Sequence, residues 1–316
     1  MKNFKAFLFI IIPFYCYSQK QYSKEFSFIN DNDLYISYYQ DRYYTNGIFL
    51  TYRFIDTNNK SKAVKKIYNI QLGHKMYTPF KAVVQSPELH DRPFAGYLYG
   101  GFGIDQFYED DSFIKNSIEI GAIGPISIAK ELQNFIHDIY GFKRAVGWQY
   151  QIKDAFAFNF KTTFGTKLFE TNSKYFDINW LSEANLGTVL GNVTTGLLGR
   201  FSLIQLQEVT NSIAFGSNLN ASGGNSFNEK EFFLFIKPKI EYIFYDATIQ
   251  GSFLNNDSPI TYPVMPFVFT NQIGICFTSG KFHFGYTVNY HSKKLKSTQV
   301  PRGNFFGTIQ INYQFK

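Results

Sequence analysis

Charge is scarce in this chain. Asp, Glu, Lys and Arg make up 17% of its 316 residues, where a water-soluble domain carries about 25%. Long apolar runs are scarce as well. Beyond the N-terminal stretch nothing approaches the roughly 20 apolar residues of a membrane-crossing helix, and mean hydropathy stays at −0.19, which excludes a helical membrane bundle. Cysteine is limited to Cys16 and Cys276, so there is no disulfide framework. What is abundant is aromatic. With 37 Phe and 23 Tyr, the chain is far too apolar for disorder, and its hydrophobic residues are interleaved with polar ones, a β-rich pattern.

Residues 1–18 read as a cleaved secretory signal. Lys2 and Lys5 form a basic start, 7–17 is apolar and Ser18 supplies a small residue for cleavage. The mature domain then spans 19–316. Loss of Lys2 and Lys5 lowers the net charge from +7 to +5. Cys16 leaves with the leader, so Cys276 stands alone and is expected to be inert. An exported chain without disulfides needs another source of stability, and closure of a barrel in a membrane supplies one.

Alternation supports closure. Phe282, Phe284, Tyr286, Val288 and Tyr290 share one face of 281–291, opposite His283, Gly285, Thr287 and Asn289. Phe305, Gly307, Ile309, Ile311, Tyr313 and Phe315 likewise oppose Thr308, Gln310, Asn312 and Gln314. Phe156, Phe158, Phe160 and Phe164 oppose Ala157, Asn159, Lys161 and Thr163. The polar faces carry Thr, Asn, Gln, Gly and His rather than the Lys and Glu of a soluble sandwich, which suits a hydrated lumen. The expected fold is all-β: a twelve-stranded antiparallel transmembrane barrel with one short helix in an extracellular loop. Strands are expected at 24–31, 44–55, 66–77, 95–108, 113–123, 154–166, 174–186, 194–205, 231–246, 266–278, 281–291 and 304–315.

If the first strand runs outward, the connections 109–112 and 278–280 are short inner turns, and 78–94 and 124–153 are long outer loops. The Asn-, Ser- and Gly-rich stretch 206–230 is an inner connection far longer than that pattern requires. The expected helix, 128–140, lies in an outer loop. Ser127 is its expected N-cap and Gly141 its stop. Leu132, Phe135, Ile136 and Ile139 form an apolar stripe, with Gln133, His137 and Tyr140 on the other face.

Polar groups gather at that outer end. Asn30, Asp31, Asn32 and Asp33 finish the first strand; Asp41-Arg42 and Tyr44-Thr45-Asn46-Gly47 open the second; His90-Asp91-Arg92-Pro93 precedes the fourth. This set permits hydrolysis, with His137 as general base and Asp31 with neighbouring oxygens as a hard-cation site for calcium. Each feature also has a plainer reading, an Asx-turn loop or a packed helical histidine. Asn30 and Asp31 have opposite strand parity, so both reach one site only if the strand end bulges or breaks. Serine catalysis lacks a Gly-x-Ser-x-Gly, and zinc lacks His-x-x-x-His or paired cysteines.

The order Ile29-Asn30-Asp31, then Asp41-Arg42-Tyr43-Tyr44-Thr45-Asn46-Gly47, resembles the N-terminal signature of the lipid A 3′-O-deacylase (LpxR) family of outer-membrane barrels. Asp91-Arg92-Pro93-Phe94-Ala95-Gly96-Tyr97-Leu98-Tyr99 is similar to its second block. Ile123-Gly124-Pro125 with Gln133, His137, Gly141, Gly147-Trp148 and Gln151 is similar to its third. The resemblance implies an integral outer-membrane esterase that removes an acyl or acyloxyacyl chain from lipid A of lipopolysaccharide with the help of Ca2+. It implies that His137 activates water, that Asn30 and Asp31 lie at the cation and oxyanion, and that Thr45 and Gln133 complete the site. A family lysine maps to Lys81. Arg42, Lys75, Arg92, Lys143 and Arg144 are further cations able to meet lipid phosphates. A monomer is expected, with no nucleic-acid partner. Two other readings stay open: a phospholipase-like acyl hydrolase using the same base and cation, and a non-catalytic barrel acting as a pore or surface protein.

Overall fold

The computed structural model describes residues 22–36, 43–80, 83–84, 86–220, 230–297 and 303–316. The expected leader, Asp41, Arg42 and Lys81 lie outside the described residues. Among those described are twelve strands: β1 (Lys24–Asn32), β2 (Tyr43–Ile55), β3 (Lys65–Thr78), β4 (Ala95–Phe107), β5 (Ser112–Ile123), β6 (Ala155–Glu170), β7 (Phe176–Gly187), β8 (Leu190–Phe201), β9 (Phe232–Asp246), β10 (Phe267–Ser279), β11 (Phe282–His291) and β12 (Asn304–Phe315). Each pairs antiparallel with its sequence neighbours, and β1 also pairs with β12 from Lys24↔Phe315 to Asn32↔Gly307, which closes the barrel. Closure gives the backbone groups of every strand a partner, the condition for a sheet to cross lipid. The largest departure from expectation is β8, which begins at Leu190 rather than 194, because Thr188 and Val189 alone turn the chain out of β7.

Parity behaves as the alternation requires. Phe156, Phe158 and Phe160 are exposed on the outer surface while Ala157 and Asn159 are buried. The inward polar residues bond to one another. Asn159 Nδ2 donates to the Tyr97 hydroxyl (3.0 Å), Tyr97 donates to Glu119 (2.8 Å), and Tyr99 donates to Gln71 (2.8 Å). These networks pair many of the polar groups that face the lumen.

Both strand ends nearest the termini, Lys24 and Phe315, mark the inner end of the barrel. The long inner connection, 202–231, has a structural role that its length did not reveal. Its residues 206–220 fold back into the lumen. Val209, Phe215 and Leu219 pack against Ile67, Phe107, Phe113, Leu181 and Leu198 of the wall. Lys65 Nζ donates to Thr210 O (2.6 Å), Asn211 Oδ1 (2.9 Å), Ser217 O (2.6 Å) and Asn220 Oδ1 (2.8 Å). Arg53 joins Glu25 (2.8 Å) to the Gly216 carbonyl. Arg200, fully buried with Asp177, donates to Ser212 Oγ at 2.7 Å. Buried cations are stable only when acceptors surround them, and this segment supplies those acceptors. The inner end of the lumen is therefore packed with side chains.

Candidate functional site on the outer wall

β1 continues to Asn32 with regular pairing on both sides, so neighbouring side chains point to opposite faces. The Asn30 side chain faces outward, where Nδ2 donates to the Gly47 carbonyl (2.9 Å) and Oδ1 accepts from the Tyr35 hydroxyl. The Asp31 side chain faces the lumen, where it accepts from Tyr44 (2.7 Å) and Thr308 (2.6 Å). The two residues proposed to act as a pair are thus split by the wall; their side chains are not brought to one site.

The second strand does break its alternation. Tyr44 pairs with Tyr77 and Asn46 with Met76, leaving Thr45 as the extra residue of a bulge. Tyr44 points inward to Asp31, while Thr45 and Asn46 both lie on the outer side. The Thr45 hydroxyl is 2.6 Å from that of Thr78.

The helix α1 (Ala129–Tyr140) docks on the same outer surface, over β3 and β4. Gly96 makes the approach possible. A Cβ there would overlap Ser127 Oγ and Ala129 Cβ. Met76, Phe94, Ala129 and Trp148 form a small apolar core, with Leu132 against it. The Nε2–H of His74, outward on β3, donates to the Ser127 carbonyl at 3.0 Å. The expected Ser127 cap does not form. Ser127 Oγ donates back to the Gly124 carbonyl (2.5 Å), and Ile128, in a left-handed conformation, occupies the cap position without a side-chain bond. Gly141 ends the helix as expected, at φ 70°.

The helix presents its faces in the reverse of the water-soluble arrangement. Ala129, Gln133 and His137, four residues apart, are buried against the wall, whereas Phe135 and Ile139, like Ile126 in the turn before the helix, are each 62% exposed. Apolar side chains on the outside suit a helix whose surroundings are acyl chains. Gln133 Oε1 accepts from the indole N–H of buried Trp148 at 2.7 Å. His137 Nδ1 lies 2.7 Å from the Lys143 carbonyl, with Phe142 edge-on to the ring. A carbonyl can only accept, so Nδ1 carries the proton and Nε2 is the basic nitrogen.

The short turn Asp33–Tyr35 rests on β12 beside Gly307, and α1 rests on β3 and β4. Between them β1 and β2 present Asn30, Thr45 and Asn46. Asn30, Thr45, Gln133 and His137 therefore share the outer face at the outer end of four adjacent strands. Other expected rim residues go elsewhere. Asp91 accepts from Tyr43 (3.0 Å) and from the Phe80 amide (2.9 Å), while Arg92 donates to Thr248 and covers the Tyr77 ring at the lumen roof. Lys75 points into the lumen over Tyr97 and Tyr99. Arg144 is paired with exposed Asp138, whose carboxyl it holds below the usual range.

Calcium fits these donors in chemical kind. Asn30, Thr45 and Asn46 offer neutral hard oxygens, and Asn46 Oδ1 is buried with no hydrogen-bond partner among the described residues. Among those residues no cluster of three or more Asp, Glu, His or Cys side chains could hold a metal. The sequence did not single out Thr78, His74 or the bonding role of Trp148. The mismatch of Tyr44 and Asn46, polar-aromatic and amide at equal parity, is the one local sign of the bulge.

The fold defines an integral β-barrel of the outer-membrane kind, with a polar cluster on the lipid-facing side of its wall as the candidate site. The chain belongs to the family described as Outer membrane protein LpxR, whose model matches residues 4–315. The structure of LpxR from Salmonella typhimurium is similar at a TM-score of 0.73 and 16% identity, over 92% of this chain and 100% of that one. The β domain of the Bordetella autotransporter BrkA aligns with a TM-score of 0.47 and 10% identity, over 94% and 99% of the two chains. No curated protein matches the chain.

Proposed function

We propose that this protein is an outer-membrane esterase that hydrolyses an acyl or acyloxyacyl ester of lipid A in the outer leaflet. The observation that carries the reading is the inverted docking of α1, which holds a basic imidazole nitrogen against a polar wall while turning apolar side chains to the lipid. Membership of the family supports the substrate class.

In this reading a water molecule beside Nε2 of His137 attacks the ester carbonyl, and Nε2 takes its proton. The bond from the acyl carbon to the sugar-side or acyl-side oxygen breaks, and the proton passes to that leaving oxygen. A free fatty acid and a lipid with one fewer chain result. The Lys143 carbonyl fixes the ring's tautomer and steadies the imidazolium that forms. Gln133, anchored by Trp148, and Asn30, anchored on Gly47, direct amide groups toward the reacting ester. Asn30, Thr45 and Asn46 would hold calcium, which when bound supplies Lewis-acid polarisation of the carbonyl. Asp31, hydrogen-bonded in the lumen, supports the wall behind Tyr44.

Mass spectrometry of lipid A from cells producing the wild type or His137→Ala, with calcium present, tests the reading. Loss of one acyl mass in the wild type alone is expected, and chelation should abolish it reversibly. Full turnover in His137→Ala, or unchanged lipid A with correctly inserted wild type, overturns it.

A further inference from the structure

The lumen above the packed inner end holds a cavity of about 690 Å³, room for roughly twenty waters at liquid density. It is on the opposite side of the wall from α1, and the proposed hydrolysis uses none of its cations. On one part of its lining, Lys161 of β6 and Lys237 and Lys239 of β9 face one shared carboxylate. Glu183 of β7 takes both Lys239 (2.8 Å) and Lys161 (3.3 Å). Lys239 reaches across β8 to do so, over Gly196, where any side chain would collide with it. Among the described residues no carboxylate lies within 4.0 Å of the Lys237 ammonium. Lys115, on the same lining, is already engaged with Asp105 (3.8 Å) and the Phe215 carbonyl (2.6 Å). Glu119 of β5 is the next carboxylate to act on Lys161, so the three ammonium groups are only partly compensated and the patch keeps an excess of positive charge in a chamber ringed by protein and lipid, where charge is poorly screened.

We infer that this patch binds a small oxyanion of at least two charges, a phosphate ion or a soluble phosphate monoester, seated between Lys161, Lys237 and Lys239. The closed sheet and the packed inner end admit such a ligand only from the outer end. A phosphate still attached to acyl chains in the leaflet does not reach it.

Calorimetric titration of the purified barrel in zwitterionic detergent at low ionic strength, with inorganic phosphate and separately with glucose 6-phosphate, tests the inference. Saturable one-to-one binding of either is expected, and the better of the two identifies the ligand as free ion or monoester. Lys237→Met should weaken binding at least tenfold, and Lys281→Met, on an inner turn outside the cavity, should leave it unchanged. Glu183→Gln carries the sharper test. Removing the internal anion should tighten binding about tenfold, a gain that a damaged fold cannot produce. Heat-modifiable gel migration verifies folding of each variant. No saturable binding by the wild type, or equal binding by wild type, Lys237→Met and Glu183→Gln, overturns the inference.

Discussion

Gly96→Ala tests how finely the docking of α1 sets activity. The added methyl would come within 3.0 Å of both Ser127 Oγ and Ala129 Cβ, and lie 3.2 Å from Ser127 Cβ. Carbon contacts settle at about 3.5–4.0 Å, so the helix start must back away by about 1 Å. Ser127 cannot absorb the strain by rotating, since its hydroxyl is bonded to Gly124 and its carbonyl to His74. Overpacking of this kind costs about 1–3 kcal/mol, which a closed twelve-stranded barrel tolerates. Gln133 and His137, however, are carried on the displaced helix, and a misplacement of about 1 Å lowers a reaction by up to about 10²-fold. The expected result is normal insertion and heat-modifiable migration with lipid A deacylation reduced about 10- to 100-fold. Gly100→Ala is the control. It shares the strand and the outward face, but its Cβ meets nothing within 4 Å. Wild-type turnover in Gly96→Ala, or equal damage from Gly100→Ala, would refute the reasoning.

Trp148→Phe keeps the apolar packing on Phe94 but removes the indole donor to Gln133. Loss of that hydrogen bond should let Gln133 shift, seen as a several-fold loss of turnover in a barrel that still folds; unchanged kinetics would count against a positioning role. Lys65→Met leaves four oxygens of the inner segment without their donor. Stepwise conductance in planar bilayers is expected for this variant and little or none for the wild type; identical silence would mean that the apolar contacts alone hold the segment. Acid should act on the same segment through Glu208. Burial opposes its ionisation, but hydrogen bonds from Lys167 and Lys174 outweigh burial and hold its carboxyl below the usual range. A depressed carboxyl contributes stability in full above its unfolded value, near pH 4.3, and loses it as pH falls through the lower folded value. Proteolysis within 202–231 should therefore speed up below about pH 4 in the wild type and depend less on pH in Glu208→Gln.

The barrel was legible because lipid outside and a polar lumen inside impose a period of two on every strand, and Phe156–Phe160 or Phe282–Tyr290 record it locally. The inner segment was not legible. Its partners are remote in sequence, as with Lys65 and the carbonyls of Thr210 and Ser217, and no local pattern announces a carbonyl cage. At the outer end the family motifs picked out Asn30, Thr45, Gln133 and His137, which share the outer face. They did not reveal that Asp31 turns inward, although its parity relative to Asn30 already required this in a regular strand. The helix was found from its stripe of Leu132, Phe135, Ile136 and Ile139, yet the stripe could not say which face docks. In water it would pack inward; beside a bilayer Phe135 and Ile139 turn out. The bulge at Thr45 left only the parity mismatch of Tyr44 and Asn46 in the sequence, since one inserted residue is a matter of pairing register, which composition does not encode.

The outward stripe of α1 also bears on how fast such a protein can work. With Phe135 and Ile139, and Ile126 of the preceding turn, facing the leaflet, the proposed enzyme would meet its lipid in two-dimensional collisions within one monolayer. Throughput then follows the mole fraction of target lipid among its neighbours and its lateral mobility, not any bulk concentration. Tightly cross-bridged, slowly diffusing leaflets would throttle turnover without a single residue of the protein changing. In mixed micelles, adding inert detergent at constant lipid should slow the reaction by surface dilution alone.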